Sequence, residues 1–85
     1  MSNWLVYILE CRDKTYYTGI TNNLEERLEK HQNGKASIYT RDRRPVKLVY
    51  SKGGYNQSDA RKEEFTLIDW KREKKEKLIR GEIKR

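Results

Sequence analysis

The sequence predicts an α+β fold, a small three-stranded antiparallel sheet flanked by helices in the order β-β-α-β-α-α. Two observations support this prediction. Three short runs rich in β-branched and aromatic residues are bounded by turn-forming residues, as strands are. Longer polar stretches between and after them begin with helix-capping residues. Because only a short turn separates the first two runs, we expect them to form a hairpin, and hence an antiparallel pair.

The first strand is predicted over residues 4–11, WLVYILEC, an apolar run typical of a buried strand. RDKT (12–15) is a turn candidate, and TYYTGI (15–20) is predicted to return as the second strand. The third strand is predicted over residues 46–51, VKLVYS, and we expect Gly53-Gly54 to end it.

The first helix is predicted within residues 21–34, TNNLEERLEKHQNG. Asn22 is the expected N-cap, with Glu25 three residues later, and Gly34 is expected to end the helix in a left-handed conformation. A basic loop is predicted over residues 35–45.

Two more helices complete the chain. One is predicted to start near Ser58 and to run through ARKEEFTLIDW, and the tail KREKKEKLIRGEIKR predicts a short basic helix that ends near Gly81. We expect a single domain over residues 1–85, with its core at about 4–80.

Composition excludes several classes of protein. No segment approaches the roughly 20 apolar residues that a membrane span needs, and the N-terminus lacks a secretory signal. Cys11 is the only cysteine, so neither an internal disulfide nor a CxxC metal site can form. We therefore expect a cytoplasmic protein with no membrane partner.

The net charge of +7 is unevenly distributed along the chain. Residues 35–52 carry six Lys and Arg against one acidic residue, and residues 71–85 carry eight against three. Such segments favour polyanions through phosphate contacts and counterion release. A solubilising surface is the alternative interpretation of a charge run.

One carboxylate of the second long helix falls on its apolar side. At about 100° per residue, with Ala60 at zero, Glu64 lies near ~40°, between Leu67 near ~−20° and Ile68 near ~80°. Glu63 points away from this apolar side and is expected to be an ordinary surface residue. An inward carboxylate is costly unless it is paired or binds a metal. An ion pair with an arginine, a snorkelling side chain and a metal or catalytic role all remain open for Glu64.

The first helix carries a second unusual pair. Arg27 and His31 are four residues apart and so share one face, which borders the stripe of Leu24 and Leu28. A guanidinium suits phosphate recognition. His31, the only histidine, is interpreted either as a helix-end cation or structural hydrogen bonder, or as a functional group.

These residues, in this order, resemble the GIY-YIG nuclease family, in particular its small single-domain bacterial members. Leu5-Val6-Tyr7 stands where Gly-Ile-Tyr is expected, and Tyr17-Thr18-Gly19 stands for Tyr-Ile-Gly. The helix arginine matches Arg27, and His31 with Gly34 matches the H-x-x-G that follows. The segments YTRDRRPVKLVY (39–50) and ARKEEFTLIDWKREKKEKLI (60–79) match the third strand and the C-terminal helices of the small members.

The resemblance spans roughly residues 4–80 and aligns Glu64 with the family's metal-binding glutamate. The chain departs from the family at position 5, which lacks glycine, at Thr18, which replaces an apolar residue, and at Ile20, where some larger members carry lysine. The late asparagine of those members also has no equivalent.

The resemblance implies a role for each site residue. Glu64 would hold one Mg²⁺ or Mn²⁺, and Arg27 would clamp the scissile phosphate. Tyr17 would be the general base for the attacking water. Tyr7 would orient the Tyr17 phenol or contact phosphate, while His31 would assist proton transfer or bind phosphate.

Gly19 is expected to turn the chain toward the helix and to keep the approach to a phosphate open. Eight basic residues are candidate contacts to the nucleic-acid backbone, which would supply affinity with little sequence reading. They are Arg41, Arg43, Arg44, Lys47, Lys71, Arg72, Lys74 and Lys75.

The sequence therefore predicts a metal-dependent endonuclease acting on branched, nicked or single-stranded DNA, in repair or recombination. The alternatives are a non-catalytic DNA- or RNA-binding module with a degenerate nuclease fold, and an RNA-directed or ribosome-associated basic protein. Because the chain has no recognisable targeting module, we expect shape or strand-end preference, or a protein partner that supplies targeting.

Overall fold

The computed structural model describes residues 2–85 and follows the predicted order of elements. Its elements are β1 (Trp4–Glu10), β2 (Tyr16–Thr21), α1 (Leu24–Gln32), α2 (Ile38–Arg41), β3 (Lys47–Tyr55), α3 (Gln57–Asp69) and α4 (Arg72–Ile79). The four-residue helix α2, inside the predicted basic loop, is the one addition. The α+β prediction is confirmed.

The three strands form one antiparallel sheet with β1 at its centre, in the order β2-β1-β3. Because a central strand is covered on both faces, residues 6–9 are all fully buried. On one face, Val6 and Ile8 join a core with side chains of α3 and α4. On the other, Tyr7 and Leu9 join a second core that includes Leu24 and Leu28 of α1, and Tyr17 of β2 packs on the same side.

The ends of α1 differ from the prediction at one residue. Asn23, rather than Asn22, caps the helix, because its Oδ1 accepts a hydrogen bond from the Glu26 amide at 3.1 Å. The Thr21 hydroxyl accepts from the Asn23 amide at 3.0 Å and holds the cap in place. Gly34 has a φ of 74°, so the predicted left-handed residue after the helix is confirmed.

The third strand continues through the glycine pair that was expected to end it. Trp4 pairs with Tyr55, and the pairing is irregular between Trp4 and Val6, which accommodates Gly53-Gly54 within the ladder. Helix α3 then begins at Gln57, and its N-cap Asn56 accepts from the Asp59 amide at 2.7 Å.

Two expectations for α3 are wrong. Ala60 and Leu67 are fully buried as predicted, but Ile68 is 55% exposed. Glu63 is not ordinary surface, because its Oε2 accepts from Nε of Arg85 at 2.6 Å and its side chain is only 13% exposed. This ion pair lowers the pKa of Glu63.

Within residues 2–85, no helix combines the length and the apolar character needed to cross a membrane.

Candidate active site

A chain of hydrogen bonds ties β1 to α1 and α2 in the interior. The Tyr7 hydroxyl lies 2.8 Å from Nε2 of His31, and Nδ1 of His31 lies 2.8 Å from Oγ1 of Thr40. All three side chains are fully buried. The Thr40 hydroxyl in turn donates to the backbone carbonyl of Ser37 at 3.3 Å. His31 is therefore a buried link between two hydroxyl groups.

This chain of hydrogen bonds fixes the tautomer of His31. The single hydroxyl proton of Thr40 is directed to Ser37, so its oxygen accepts from Nδ1–H of His31. Nε2 is then the unprotonated nitrogen and accepts from the Tyr7 hydroxyl. Burial, with a smaller effect of Arg27, lowers the pKa of His31 to about 4. At neutral pH His31 is thus an uncharged hydrogen bonder, and the helix-end cation interpretation is wrong.

This titration predicts a pH dependence of stability. His31 titrates near 4 in the folded protein and near 6.5 when unfolded, so the unfolded state binds its proton first as pH falls. The free energy of unfolding should therefore decrease as pH falls from about 6.5 to 4, by about 3 kcal/mol from this group alone. Urea unfolding at both pH values checks this. In His31→Gln the decrease should be smaller by that amount, and an equal decrease would contradict the prediction.

Tyr7 is a protonated phenol at neutral pH. Burial is the main cause that raises its pKa, and Tyr17 and Glu64 add to the rise, while Arg27 opposes it. Because the Tyr7 hydroxyl donates its only proton to His31, the lone pairs of its oxygen are left to accept from groups in the site.

Tyr17 completes an aromatic cluster and is more accessible than Tyr7. Its ring centroid lies 6.4 Å from that of Tyr7 and 5.1 Å from that of His31. Tyr17 also lies near Tyr39 of α2, at 6.2 Å with 28° between the ring planes. The side chain is half-buried, and its hydroxyl makes no hydrogen bond within residues 2–85. Tyr7 and Tyr17 thus lie on the same face of the sheet.

Gly19 makes room for the Tyr7 ring. The two residues are directly opposite in the β1–β2 register, and a Cβ at position 19 would lie 2.5 Å from the Tyr7 hydroxyl oxygen. Strand β2 continues past Gly19 to Thr21, so the expectation that Gly19 turns the chain is wrong. The space beside Gly19 is filled by the Tyr7 phenol instead of being left open.

Arg27 and Glu64 approach this cluster from two different helices. Arg27 of α1 is half-buried, and its charge lowers the pKa of both Tyr7 and His31. Glu64 of α3 lies near enough for its charge to raise the pKa of Tyr7. The five predicted catalytic residues thus form one electrostatically coupled group, although α1 and α3 pack on opposite faces of the sheet.

Glu64 is a desolvated carboxylate. It is half-buried, burial raises its pKa, and the charge of Arg61 opposes this rise. Within residues 2–85 Glu64 has no ion pair, so the arginine pair that the sequence left open belongs to Glu63 instead. The described residues contain no group of three or more His, Cys, Asp or Glu that could hold a metal. Any metal here would rely on one carboxylate, with other ligands from substrate and water.

Several of the basic residues predicted to contact phosphate already make hydrogen bonds within the protein. Arg43 donates to Asp13 at 3.1 Å and to the Tyr39 carbonyl at 2.9 Å, and Arg44 donates to the Arg41 carbonyl at 2.9 Å.

The remaining basic residues differ in how far their side chains are engaged by other groups of the protein. Arg41 pairs with Asp42 and Arg72 with Glu76, at 3.3 and 3.1 Å, in exposed ion pairs. Lys74 lies over the Trp70 ring. Lys47 and Lys71 are exposed, whereas Lys75 is half-buried and lies beside Tyr17 in a surface groove.

Sequence reasoning missed Thr40 and Tyr39. Nothing in the spacing of Thr40 indicates a partner nine residues earlier, because the contact depends on how the loop 33–37 folds back. The cap at Ser37 is the one local signal, since its hydroxyl accepts from the Tyr39 amide at 3.1 Å and starts α2.

The site thus consists of two tyrosines on paired strands, with α1 on their side of the sheet and the Glu64 carboxylate of α3 within electrostatic reach of Tyr7. The chain belongs to the GIY-YIG family, a nuclease family, because the GIY-YIG catalytic domain matches residues 3–77.

Similar proteins support this assignment. The UPF0213 protein OB0043 of Oceanobacillus iheyensis is 50% identical over 74 residues, which cover 87% of this chain and 86% of that protein. The UPF0213 protein CPE1444 of Clostridium perfringens is 47% identical over 74 residues, covering 87% and 80%. The solution NMR structure of the UPF0213 protein BH0048 from Bacillus halodurans is 39% identical, with a TM-score of 0.57 and coverage of 89% and 81%. The names of these relatives state no activity.

Proposed function

We propose that this protein is a divalent-metal-dependent endonuclease that hydrolyses DNA phosphodiester bonds and selects branched, nicked or single-stranded DNA, in repair or recombination. The observation that carries the proposal is Glu64, a desolvated carboxylate without an ion pair within residues 2–85, which acts electrostatically on a buried tyrosine. A module that only binds nucleic acid has no use for an inward-facing carboxylate, since that charge repels phosphate and costs desolvation.

Glu64 fits a metal ligand because its charge lacks a protein cation within hydrogen-bonding distance among residues 2–85. Glu64 would hold one Mg²⁺ or Mn²⁺, for which a single carboxylate with water and substrate phosphate is an ordinary ligand set. When bound, the ion supplies charge stabilisation at the scissile phosphate and the leaving oxygen.

The other residues have separate jobs. Arg27, which is held at the site by α1 and carries a permanent charge, binds the phosphate as negative charge develops on it. Tyr17 would act as the base in its phenolate form, after its own proton is lost to solvent, and would then take the proton of the attacking water, because its hydroxyl is the accessible one of the pair. Tyr7 is fully buried and donates its proton to neutral His31, so it orients the Tyr17 ring, whose centroid lies 6.4 Å from its own.

Cleavage assays test the proposal directly. Labelled single-stranded, nicked and forked DNA would be incubated with the protein and Mg²⁺, Mn²⁺ or EDTA. Cleavage that needs the metal supports the nuclease. Salt-dependent binding without any cleavage would favour the alternative, a DNA- or RNA-binding module that retains the fold, and matched RNA substrates in the same assay would show which nucleic acid it prefers.

Replacing Tyr17 with phenylalanine should lower the cleavage rate by about 10²- to 10⁴-fold, the usual contribution of a positioned acid or base. The ring contacts with His31 and Tyr39 are kept, so folding should be unchanged. Tyr50→Phe is the matched control, because Tyr50 lies on β3 and packs on the opposite face of the sheet. Equal activity of the two variants would argue against Tyr17 as the base. Single-turnover rates on the best substrate give the comparison.

A further inference from the structure

A groove of about 240 Å³ opens beside Tyr17, where the outer edge of β2 meets α2, α3 and α4. Tyr17 belongs both to the candidate active site and to this groove. The other side chains that line it are mainly aromatic or apolar, with a single cation: Tyr16, Thr18, Tyr39, Ile68 and Lys75. A phosphate handled at the Tyr17 hydroxyl would therefore have its own nucleoside, or the next one, at the mouth of the groove.

Tyr39 forms a fixed aromatic wall. Its side chain is 36% exposed, yet the Arg43 guanidinium lies 3.8 Å from its ring centroid. Arg43 is itself held by Asp13 at 3.1 Å and by the Tyr39 carbonyl at 2.9 Å. Because the ring is already ordered, a planar group that packs against it loses little additional side-chain entropy.

Ile68 and Lys75 form the opposite side. Ile68 is 55% exposed although it lies on the inward arc of α3, because there the helix faces the groove beside the free edge of β2 instead of the sheet. Lys75 is half-buried and makes no ion pair within residues 2–85, and burial lowers its pKa. An apolar slot with one uncompensated cation suits a flat aromatic group that carries an anion.

We propose that this groove seats one unpaired nucleobase of the substrate strand, next to the phosphate that is cut. This inference rests on the proposed function and narrows its substrate class to DNA with an unpaired nucleotide at the cleavage site. Stacking of a base on an aromatic side chain is worth about 1–3 kcal/mol and tolerates any sequence, because every base has a π-face. A base that is paired and stacked in a duplex cannot enter the groove without first leaving its stack.

The test measures binding without metal, so that it does not depend on catalysis. Fluorescence anisotropy in EDTA would compare an oligothymidylate of about 12 nucleotides with an abasic oligomer that carries the same number of phosphates. Wild type should bind the oligothymidylate about tenfold tighter or more, as expected from one stacked base. A ratio near one in wild type overturns the proposal.

Two variants that add the same charge to α3 test whether the preference for the oligothymidylate over the abasic oligomer comes from the groove. Ile68→Glu should reduce the ratio of the two affinities to near one. Phe65→Glu should keep the wild-type ratio, because Phe65 is 74% exposed and lies outside the groove. A ratio that is unchanged in Ile68→Glu, or lost equally in both, overturns this location. Tyr39→Leu, which keeps an apolar side chain but removes the ring, should lower the ratio as well.

Cleavage assays on the same proteins separate this inference from the nuclease proposal. If wild type cuts DNA but its affinity ratio is near one, the base seat is wrong and the nuclease stands. If the ratio is high but no DNA is cut, the groove binds an unpaired base, and both the nuclease and the placement of that base beside a cleaved phosphate are wrong.

Discussion

Replacing Glu64 with glutamine is expected to abolish metal-dependent DNA cleavage while leaving the fold intact. The amide has the same size as the carboxylate but no charge to hold Mg²⁺ or Mn²⁺. Since the metal supplies several kcal/mol of transition-state stabilisation, the rate should fall by at least about a thousandfold. The side chain is half-buried, and burial already raises its pKa, so a neutral group should be tolerated there. Single-turnover cleavage rates give the comparison.

Glu63→Gln is the matched control, since it makes the same chemical change one residue away. It removes the ion pair with Arg85, so it should lower the free energy of unfolding modestly and leave cleavage unchanged. A direct readout is the broadening of NMR signals by Mn²⁺ around position 64, which should disappear in Glu64→Gln and persist in Glu63→Gln. If Glu64→Gln cuts DNA at the wild-type rate, Glu64 is not the metal ligand.

Sequence periodicity was sufficient to single out Glu64 but not to predict its surroundings. Ala60 and Leu67 are buried as a helical period requires, and Glu64 lies next to them on the same side. Ile68 falls on the same arc and yet is exposed, because the arc extends beyond the sheet to the open edge of β2. A helical wheel describes a direction around one helix and carries no information on where the neighbouring sheet ends.

The hydrogen-bond chain behind Tyr7 was also beyond prediction. Hairpin geometry predicts that Tyr7 and Tyr17 share a face, and the spacing of Arg27 and His31 predicts a common helix face. That His31 is neutral and joined to Thr40 depends on the path of a loop with no periodic pattern. The strand order could be anticipated only in part. The hairpin implies that β1 and β2 are neighbours, but β3 pairs with β1 across a long separation in sequence, which no local pattern predicts.

Gly19→Ala is expected to be among the most destabilising single-methyl changes in the protein. The added Cβ would lie 2.5 Å from the Tyr7 hydroxyl oxygen and 2.7 Å from its Cζ, closer than nonbonded atoms approach. Tyr7 is fully buried and bound to His31, so its ring cannot move aside without breaking that bond. Overpacking of this kind costs about 1–3 kcal/mol or more, a large share of the stability of so small a domain. Urea unfolding at neutral pH measures the loss.

The clash can be distinguished from a general intolerance of alanine in the sheet. Gly53→Ala is the matched control, because a Cβ there meets only Leu5, at an ordinary 3.5 Å, and it should change stability little. In a Tyr7→Leu background, where the phenol is absent, Gly19→Ala should lose most of its cost. The coupling energy between the two changes should then be about 2 kcal/mol, within the range for residues in contact. A coupling energy near zero would mean that Gly19 is needed for its backbone and not for the space it gives Tyr7.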